Sequence, residues 1–284
     1  MILVTGATGN VGAELVRQLG AAGHDVRALV KDRQSAATML GDGVELAEGD
    51  LTRPDTLDAA FRQVESAYLL LPMLPTLRQW DAELISAAKR AGVRHVVKHS
   101  NLGADQSDAT TMQRWHRAGE LLTEESGMAW TFIRPTGFMT NALAWAGMVK
   151  TSGTVYAPGG DGKLAVVDPR DIAAAAVAVL TQPGHEGKAY DITGPEALSA
   201  ADQVSLIGEE IGRPLTYTDI PEPAARGSML ATGMPAEIVD ALLEFMGGVR
   251  AGRSATVSDA VQELSGQRAR TFADWVHDNA SAFR

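Results

Sequence analysis

Short apolar runs and amphipathic stretches alternate along the first half of the chain, beginning at residue 1. Met1 to Thr5 is an apolar, β-branched run that predicts a buried strand. Val11, Leu15, Val16 and Leu19 then form the single apolar stripe of a helix, which loosens at Gly20 and Gly23. His24 to Val30 predicts a second strand and Val44 to Ala47 a third. Thr52 and Pro54 open a helix carrying Leu57, Ala60 and Phe61, with Thr52 as its cap, because proline suits a first helical turn. Tyr68 to Leu71 predicts strand four, ended by Pro72 and Pro75. Leu77 to Ala91 predicts a long helix with Trp80, Leu84, Ile85 and Ala88 inward and Gly92 at its end. Val93 to Lys98 is strand five, Met112 to Glu125 a helix stopped at Gly127, and Ala129 to Ile133 strand six. Repeated strand and helix units with continuous apolar strands predict an α/β fold built on a doubly wound parallel sheet.

The first strand meets the first helix at TGATGNVG, with glycines at 6, 9 and 12. Gly6 lets the chain turn sharply, Gly9 lets backbone N–H groups approach a pyrophosphate, and Gly12 lets the helix pack close to the strand. The unpaired N–H groups and macrodipole of the helix start favour phosphate charge, so a dinucleotide site is expected in preference to a plain structural turn. Ligands in such sheets sit at the carboxyl ends of strands. Lys31, Asp32 and Arg33 follow strand two. Asp32, twenty residues after Gly12, suits a ribose 2′-hydroxyl, whereas Lys31 and Arg33 suit a 2′-phosphate; an ordinary solvated loop is the third reading. Asp50 can accept from an adenine amino group or cap the turn before Thr52.

After Asn141 the alternation loosens. Gly153 to Pro158 predicts a strand, residues 159–162 a turn, Pro169 to Leu180 an alanine-rich helix and Lys188 to Ile192 a strand. Ser199 to Ile211 predicts a capped helix, Leu215 to Ile220 a strand, and the chain is mainly helical from Glu222, its final helix pinned by Phe272, Trp275 and Val276. The 284 residues carry 25 basic and 35 acidic side chains, a net charge of −10 with no basic patch, which argues against a nucleic-acid partner. The absence of cysteine removes thiolate catalysis, disulfides and cysteine metal sites. Met1 opens directly into a strand and no apolar run reaches the length of a membrane span, so a cytoplasmic protein without membrane contact is expected.

TGATGNVG, the GDL at 49–51 and SGMAWTFIRPTGFMTN from Ser126 to Asn141 together resemble the NmrA-like branch of the atypical short-chain dehydrogenases. VDPRDIA at 167–173 and AYDITGPEALS at 189–199 extend the resemblance over nearly the whole chain. It implies a Rossmann-type domain binding NAD(P) over residues 1–150, with about 165–195 returning to it, and a smaller α+β C-terminal substrate lobe made mainly of 196–284. By resemblance, Gly6, Thr8, Gly9, Asn10, Val11 and Gly12 hold pyrophosphate, Asp50 and Leu51 hold adenine, and Leu71 and Pro72 lie along the ribose. Pro135, Thr136, Gly137 and Phe138 flank the nicotinamide.

Ordinary short-chain dehydrogenases carry a YxxxK pair, in which the tyrosine protonates a carbonyl and the lysine holds the nicotinamide ribose. Counting back from Arg134 and Pro135 places Met112 at the tyrosine position and His116 at the lysine position. Methionine cannot donate a proton. His116 with Arg117, Ala118 and Glu120 resembles the quinone reductase and triphenylmethane reductase members, so His116 is the candidate catalytic residue, weighed against a surface-helix histidine. His95 and His99 lie roughly 13 Å apart on one strand face, too far to share a metal, and neither HExxH nor GxSxG occurs. No metal site is expected.

Trp115, Phe138 and Trp145 can line an aromatic substrate pocket, although most tryptophans are core residues. Met229, Leu230 and Met234 with Val239, Leu242, Leu243 and Phe245 suit either an adaptable pocket or a plain helical core. These features point to an NAD(P)H-dependent oxidoreductase, with NADP(H) favoured and NAD(H) as the alternative, reducing a quinone or polycyclic aromatic compound. A hydroquinone product that reacts with oxygen would make it part of a tailoring monooxygenation. The competing expectation is a non-catalytic redox sensor that binds dinucleotide and a protein partner. Oligomeric state is not legible.

Overall fold

The computed structural model describes residues 1–284. β1 (Ile2–Val4) is fully buried and passes through the glycine turn into α1 (Asn10–Ala21). β2 (Val26–Val30), α2 (Arg33–Leu40) and β3 (Glu45–Glu48) follow. The hydrophobic pattern does not show α2, because Ala36 is its one buried residue; a cap makes it instead, with the Asp32 carboxylate accepting the Ser35 N–H at 2.9 Å. α3 (Leu57–Ala60) is a single turn entered through a 3-10 turn at Pro54–Thr56. The expected Thr52 cap does not form there. Arg53 holds the cap position, and the Thr52 hydroxyl donates to Asp50 at 2.7 Å, since that carboxylate lies two residues away and already accepts the Thr52 N–H. β4 (Ser66–Leu69), α4 (Leu77–Ala91), β5 (His95–His99), α5 (Thr111–Glu125) and β6 (Ala129–Pro135) complete the first run of units. α5 begins at a reciprocal capping box between Thr110 and Gln113.

The second half starts with a 3-10 segment, Met139–Trp145, running into α6 (Ala146–Ser152), neither of which the apolar pattern reveals. β7 (Thr154–Ala157), β8 (Lys163–Leu164), α7 (Pro169–Thr181) and β9 (Lys188–Ile192) come next, then β10 (Leu198–Ser199), α8 (Ala200–Ile211) and β11 (Thr216–Asp219). α9 (Glu222–Ala231), α10 (Ala236–Arg250), α11 (Ala260–Ser265) and α12 (Phe272–Asn279) end the chain.

Seven strands form one parallel sheet in the order β3-β2-β1-β4-β5-β6-β9. The chain winds outward from β1 to β3 and then crosses back to β4, so the order reverses between β1 and β4, where a crevice opens at the strand ends. Alternate strand residues serve opposite faces. Val4, Tyr68 and Val97 pack with α1, α7 and α11 on one face, while Leu3, Ala67 and Val96 pack with α3 and α4 on the other. A smaller core of Val155, Ile207, Phe272, Trp275 and Phe283 holds β7, β11, α8 and α12 together. Ala260, Val261 and Leu264 of α11 join the large core although they follow the smaller lobe in sequence. Ala225, Val239 and Leu243 make a separate small core between α9 and α10, with Met229, Leu230 and Met234 packed against it. No helix is long and apolar enough to cross a membrane.

Candidate active site

The ends of β1 and β4 are stitched together by Thr5, whose hydroxyl donates to the Leu70 carbonyl at 2.7 Å and accepts the Leu70 N–H at 2.8 Å. Gly6 then turns with φ +61°, and a Cβ on it would meet the Leu70 carbonyl at 2.9 Å. At Gly12 a Cβ would lie 2.1 Å from the Gly6 carbonyl, so α1 packs against the turn with no space for a side chain. Gly9 is different. Its Cβ would touch only the Gly6 carbonyl, at 3.3 Å, and the rest of its surroundings is open and exposed. The first helical bond runs from Ala13 N–H to the Gly9 carbonyl at 2.9 Å, and the N–H groups of Asn10, Val11 and Gly12 have no protein acceptor. Three unpaired donors at an exposed, uncapped helix start suit a diphosphate. The Asn10 amide also donates to the Thr140 hydroxyl at 3.2 Å, linking the cradle to the segment after β6.

At the next strand ends, Lys31 is exposed and reaches the Asp50 carboxylate at 3.4 Å, while Arg33 opens α2 and lines a groove beside the edge strand β3. Hydrogen bonds from Thr52 are the main reason the Asp50 carboxyl sits below its ordinary pKa, with Lys31 adding to the effect. Leu51 packs against the second core. The Leu71 side chain is buried in that same core, leaving its backbone and Pro72 at the crevice. Across the sheet, Thr136 N–H donates to Ile192, and Gly137 and Met139 pair with Val167 on either side of Phe138.

His116 lies on α5, one turn beyond Met112 on the same face; the two are 6% and 4% exposed. Burial first, then the nearby Lys98 charge and His99, holds the His116 imidazole neutral far below its ordinary range. Its Nδ1 is buried without a hydrogen-bond partner. That is an orphaned polar atom closed off from solvent beneath the surface of α5, a group whose burial costs free energy until it gains a partner. α5 is held by a buried ionic network. Glu120 takes two bonds from Arg134, each 2.8 Å, one from Ser100 at 2.6 Å and one from Arg117 at 2.9 Å. Arg134 donates further to Asp105 at 2.6 Å.

Under α5 lies a second ion pair. Lys98 Nζ donates to Asp81 at 2.8 Å with both side chains fully buried, and Gly119 supplies the space, since a Cβ there would lie 2.0 Å from Asp81 and 2.5 Å from Lys98. On the opposite face of β5, Tyr68 and His99 meet at 2.7 Å beneath Phe138, whose ring lies edge-on to His99. Burial pushes the His99 pKa down to about 3 and the Tyr68 phenol up, so a neutral phenol and a neutral imidazole share this hydrogen bond. Thr5, Asp81, Lys98, Gly119 and the Glu120 network are site-supporting residues that sequence patterns missed. Lys98 alone left a signal, a charge inside the apolar run HVVKH.

A small cleft of about 70 Å³ opens between the carboxyl ends of β5 and β6 and the lobe helix α10. Ten of its twelve lining residues are polar or glycine, among them Asn101, Gln113, Thr136 and Arg253. Trp115, Phe138 and Trp145, expected to line an aromatic pocket, lie outside this cleft. Trp115 packs into the second sheet core and Trp145 into the lobe core, because each follows the apolar face of its own helix.

Cradle, strand reversal and interlobe cleft define a dinucleotide-binding oxidoreductase. Residues 1–275 match the model of the NmrA-like family, and the chain belongs to that family. It is 41% identical over 283 residues to an NAD(P)H azoreductase of Xenophilus azovorans, covering 100% of this chain and 99% of that one. It is 42% identical to a (4-alkanoyl-5-oxo-2,5-dihydrofuran-3-yl)methyl phosphate reductase of Streptomyces griseus, again covering 100% and 99%. Among solved structures it resembles the NADPH complex of an Escherichia coli NADPH-dependent quinone oxidoreductase with a TM-score of 0.89 and 27% identity, covering 98% of this chain and 99% of that one.

Proposed function

We propose that the protein is an NADPH-dependent reductase of quinones and related flat conjugated acceptors. The observation that carries this reading is Met112, buried on α5 one turn before His116, at the position where counting back from Arg134 and Pro135 puts the phenolic proton donor of ordinary short-chain dehydrogenases. Reducing an isolated carbonyl needs a positioned acid for the developing alkoxide, whereas a quinone spreads the incoming charge and takes its proton later, from water. The azoreductase and quinone oxidoreductase names of its relatives support the same acceptor class.

NADP(H) would be held by the Asn10, Val11 and Gly12 N–H groups at its diphosphate, by Asp50 and Leu51 near adenine, and by Thr136 to Phe138 near the nicotinamide, which supplies a hydride when bound. Asp32 spends one carboxylate oxygen on the α2 cap, which supports the reading in which Lys31 and Arg33 favour a 2′-phosphate. Replacing both by alanine should lower NADPH affinity far more than NADH affinity; an unchanged affinity ratio would remove them from the site. His116 positions the cofactor as a neutral imidazole, and its Nδ1 would accept from a ribose hydroxyl once cofactor binding uncovers it. Pro135 and Gly137 shape the backbone around that position. NADPH oxidation against a panel of quinones, azo compounds and aliphatic ketones tests the assignment, and oxygen uptake in the same assay reads any monooxygenation that follows hydroquinone release.

A further inference from the structure

The interlobe cleft is more polar than a flat aromatic acceptor requires. Thr136 and Ser254 are 5% and 8% exposed, yet their hydroxyls make no hydrogen bond within the protein, and the Asn101 amide makes none either. Each of these groups would lose water to a purely apolar ligand and gain nothing in exchange. Arg253 stands at the same cleft, its guanidinium accommodated by Gly248, where a Cβ would come within 3.2 Å of Nη2. Its ion-pair partner is Asp108, at 3.7 Å, too long for a hydrogen bond, with the two side chains 50% and 63% exposed. The guanidinium fork is therefore not filled by the protein. A planar fork with five donors matches an oxyanion in two-point geometry, and nearby hydroxyl and amide donors complete such a seat.

We propose that the cleft selects acceptors bearing an oxyanion substituent, a carboxylate, sulfonate or phosphate, which Arg253 holds with Asn101, Thr136 and Ser254 as further donors. The proposal rests on the reductase reading above and deepens it. The substituent takes no part in the reaction: the conjugated core takes the hydride, water supplies the one proton, and the oxyanion keeps all its bonds. Asp108 competes with the ligand for Arg253, so it sets a threshold that neutral acceptors do not benefit from crossing.

The test compares kcat/KM with NADPH for 1,4-naphthoquinone and for the same ring carrying a sulfonate, a carboxylate or a phosphomethyl group, which separates the three oxyanions. In Arg253→Gln the anionic-to-neutral ratio should fall at least tenfold, through KM and not kcat, and Arg253→Lys should restore part of it. In Asp108→Asn the ratio should rise. An unchanged ratio in Arg253→Gln, or a fall in Asp108→Asn, overturns the proposal. Because quinone turnover itself is a separate claim, calorimetric titration of naphthalene-2-sulfonate into the NADPH-loaded protein provides a second readout. Binding that weakens at least tenfold in Arg253→Gln supports the oxyanion seat even if every quinone fails as substrate, and binding indifferent to Arg253 refutes it.

Discussion

Met112 and His116 stand one helical turn apart on α5, where the proposal puts a thioether and an imidazole in place of the hydroxyl and ammonium of ordinary short-chain dehydrogenases, and each makes a separable prediction. Met112 is a packing residue, so Met112→Leu, a nearly volume-conserving change, should keep quinone turnover within about twofold. His116→Ala should raise the NADPH Kd about tenfold, roughly 1.4 kcal/mol, by removing an acceptor that other side chains do not supply, and His116→Gln should recover part of the loss. Direct cofactor titration distinguishes this from a folding defect. Since burial and Lys98 keep the ring neutral, the NADPH Kd should show no histidine titration between about pH 6 and 8. His99 carries a different consequence. Its folded pKa of about 3 lies below the ordinary value of 6.5, so as pH falls through 6.5 the unfolded chain takes up a proton that the folded chain refuses. Stability should therefore decline below pH 6.5 and keep declining toward 3, with a steepness that drops by close to one proton in His99→Asn, measured by urea unfolding across that range.

At the scale of elements, α5 depends on how closely it approaches β5. Gly119 crosses directly over the Lys98–Asp81 pair, and Gly119→Ala would press a methyl group into both side chains. That substitution should destabilise by about 1–3 kcal/mol despite alanine's better helix propensity. Lys98→Met should cost about 3–5 kcal/mol, because it strands a buried carboxylate, and adding Asp81→Leu should recover most of that loss. Urea denaturation of the single and double variants reads both.

The same region shows where sequence patterns succeed and where they stop. α1, α4, α7 and α8 are legible because each carries an apolar face and an end signal, such as Gly92 or the Ser199 cap, whereas α5 buries His116, Glu120 and Thr123 beside Met112. α2 is not, because it buries one residue and exists through a cap on Asp32, a residue whose spacing equally suited a ribose contact. The glycine cradle is local in sequence and was readable, whereas the Glu120, Arg134 and Ser100 cluster joins three elements and leaves no spacing rule to follow. Tryptophan bulk predicts burial, but not that Trp115 joins the second sheet core and Trp145 the lobe core.

For the whole molecule, the parallel sheet supplies a rigid floor at the β1 and β4 ends and the lobe supplies a roof through α10, whose Glu244 accepts the Thr111 N–H at 2.8 Å at the very start of α5. The glycine cradle lies at the end of β1 and the cleft at the ends of β5 and β6, with His116 buried on α5 beside Lys98 and His99, and the proposed hydride transfer uses no phenolic acid. The most direct measurement is the steady-state rate with NADPH deuterated at the transferred position, taken for 1,4-naphthoquinone and for an aliphatic ketone. The account predicts an isotope-sensitive reaction with the quinone and a kcat/KM at least about a hundredfold higher than for the ketone, the range that a missing general acid spans. Rapid ketone reduction, or the absence of isotope-sensitive NADPH oxidation with any conjugated acceptor, would contradict it.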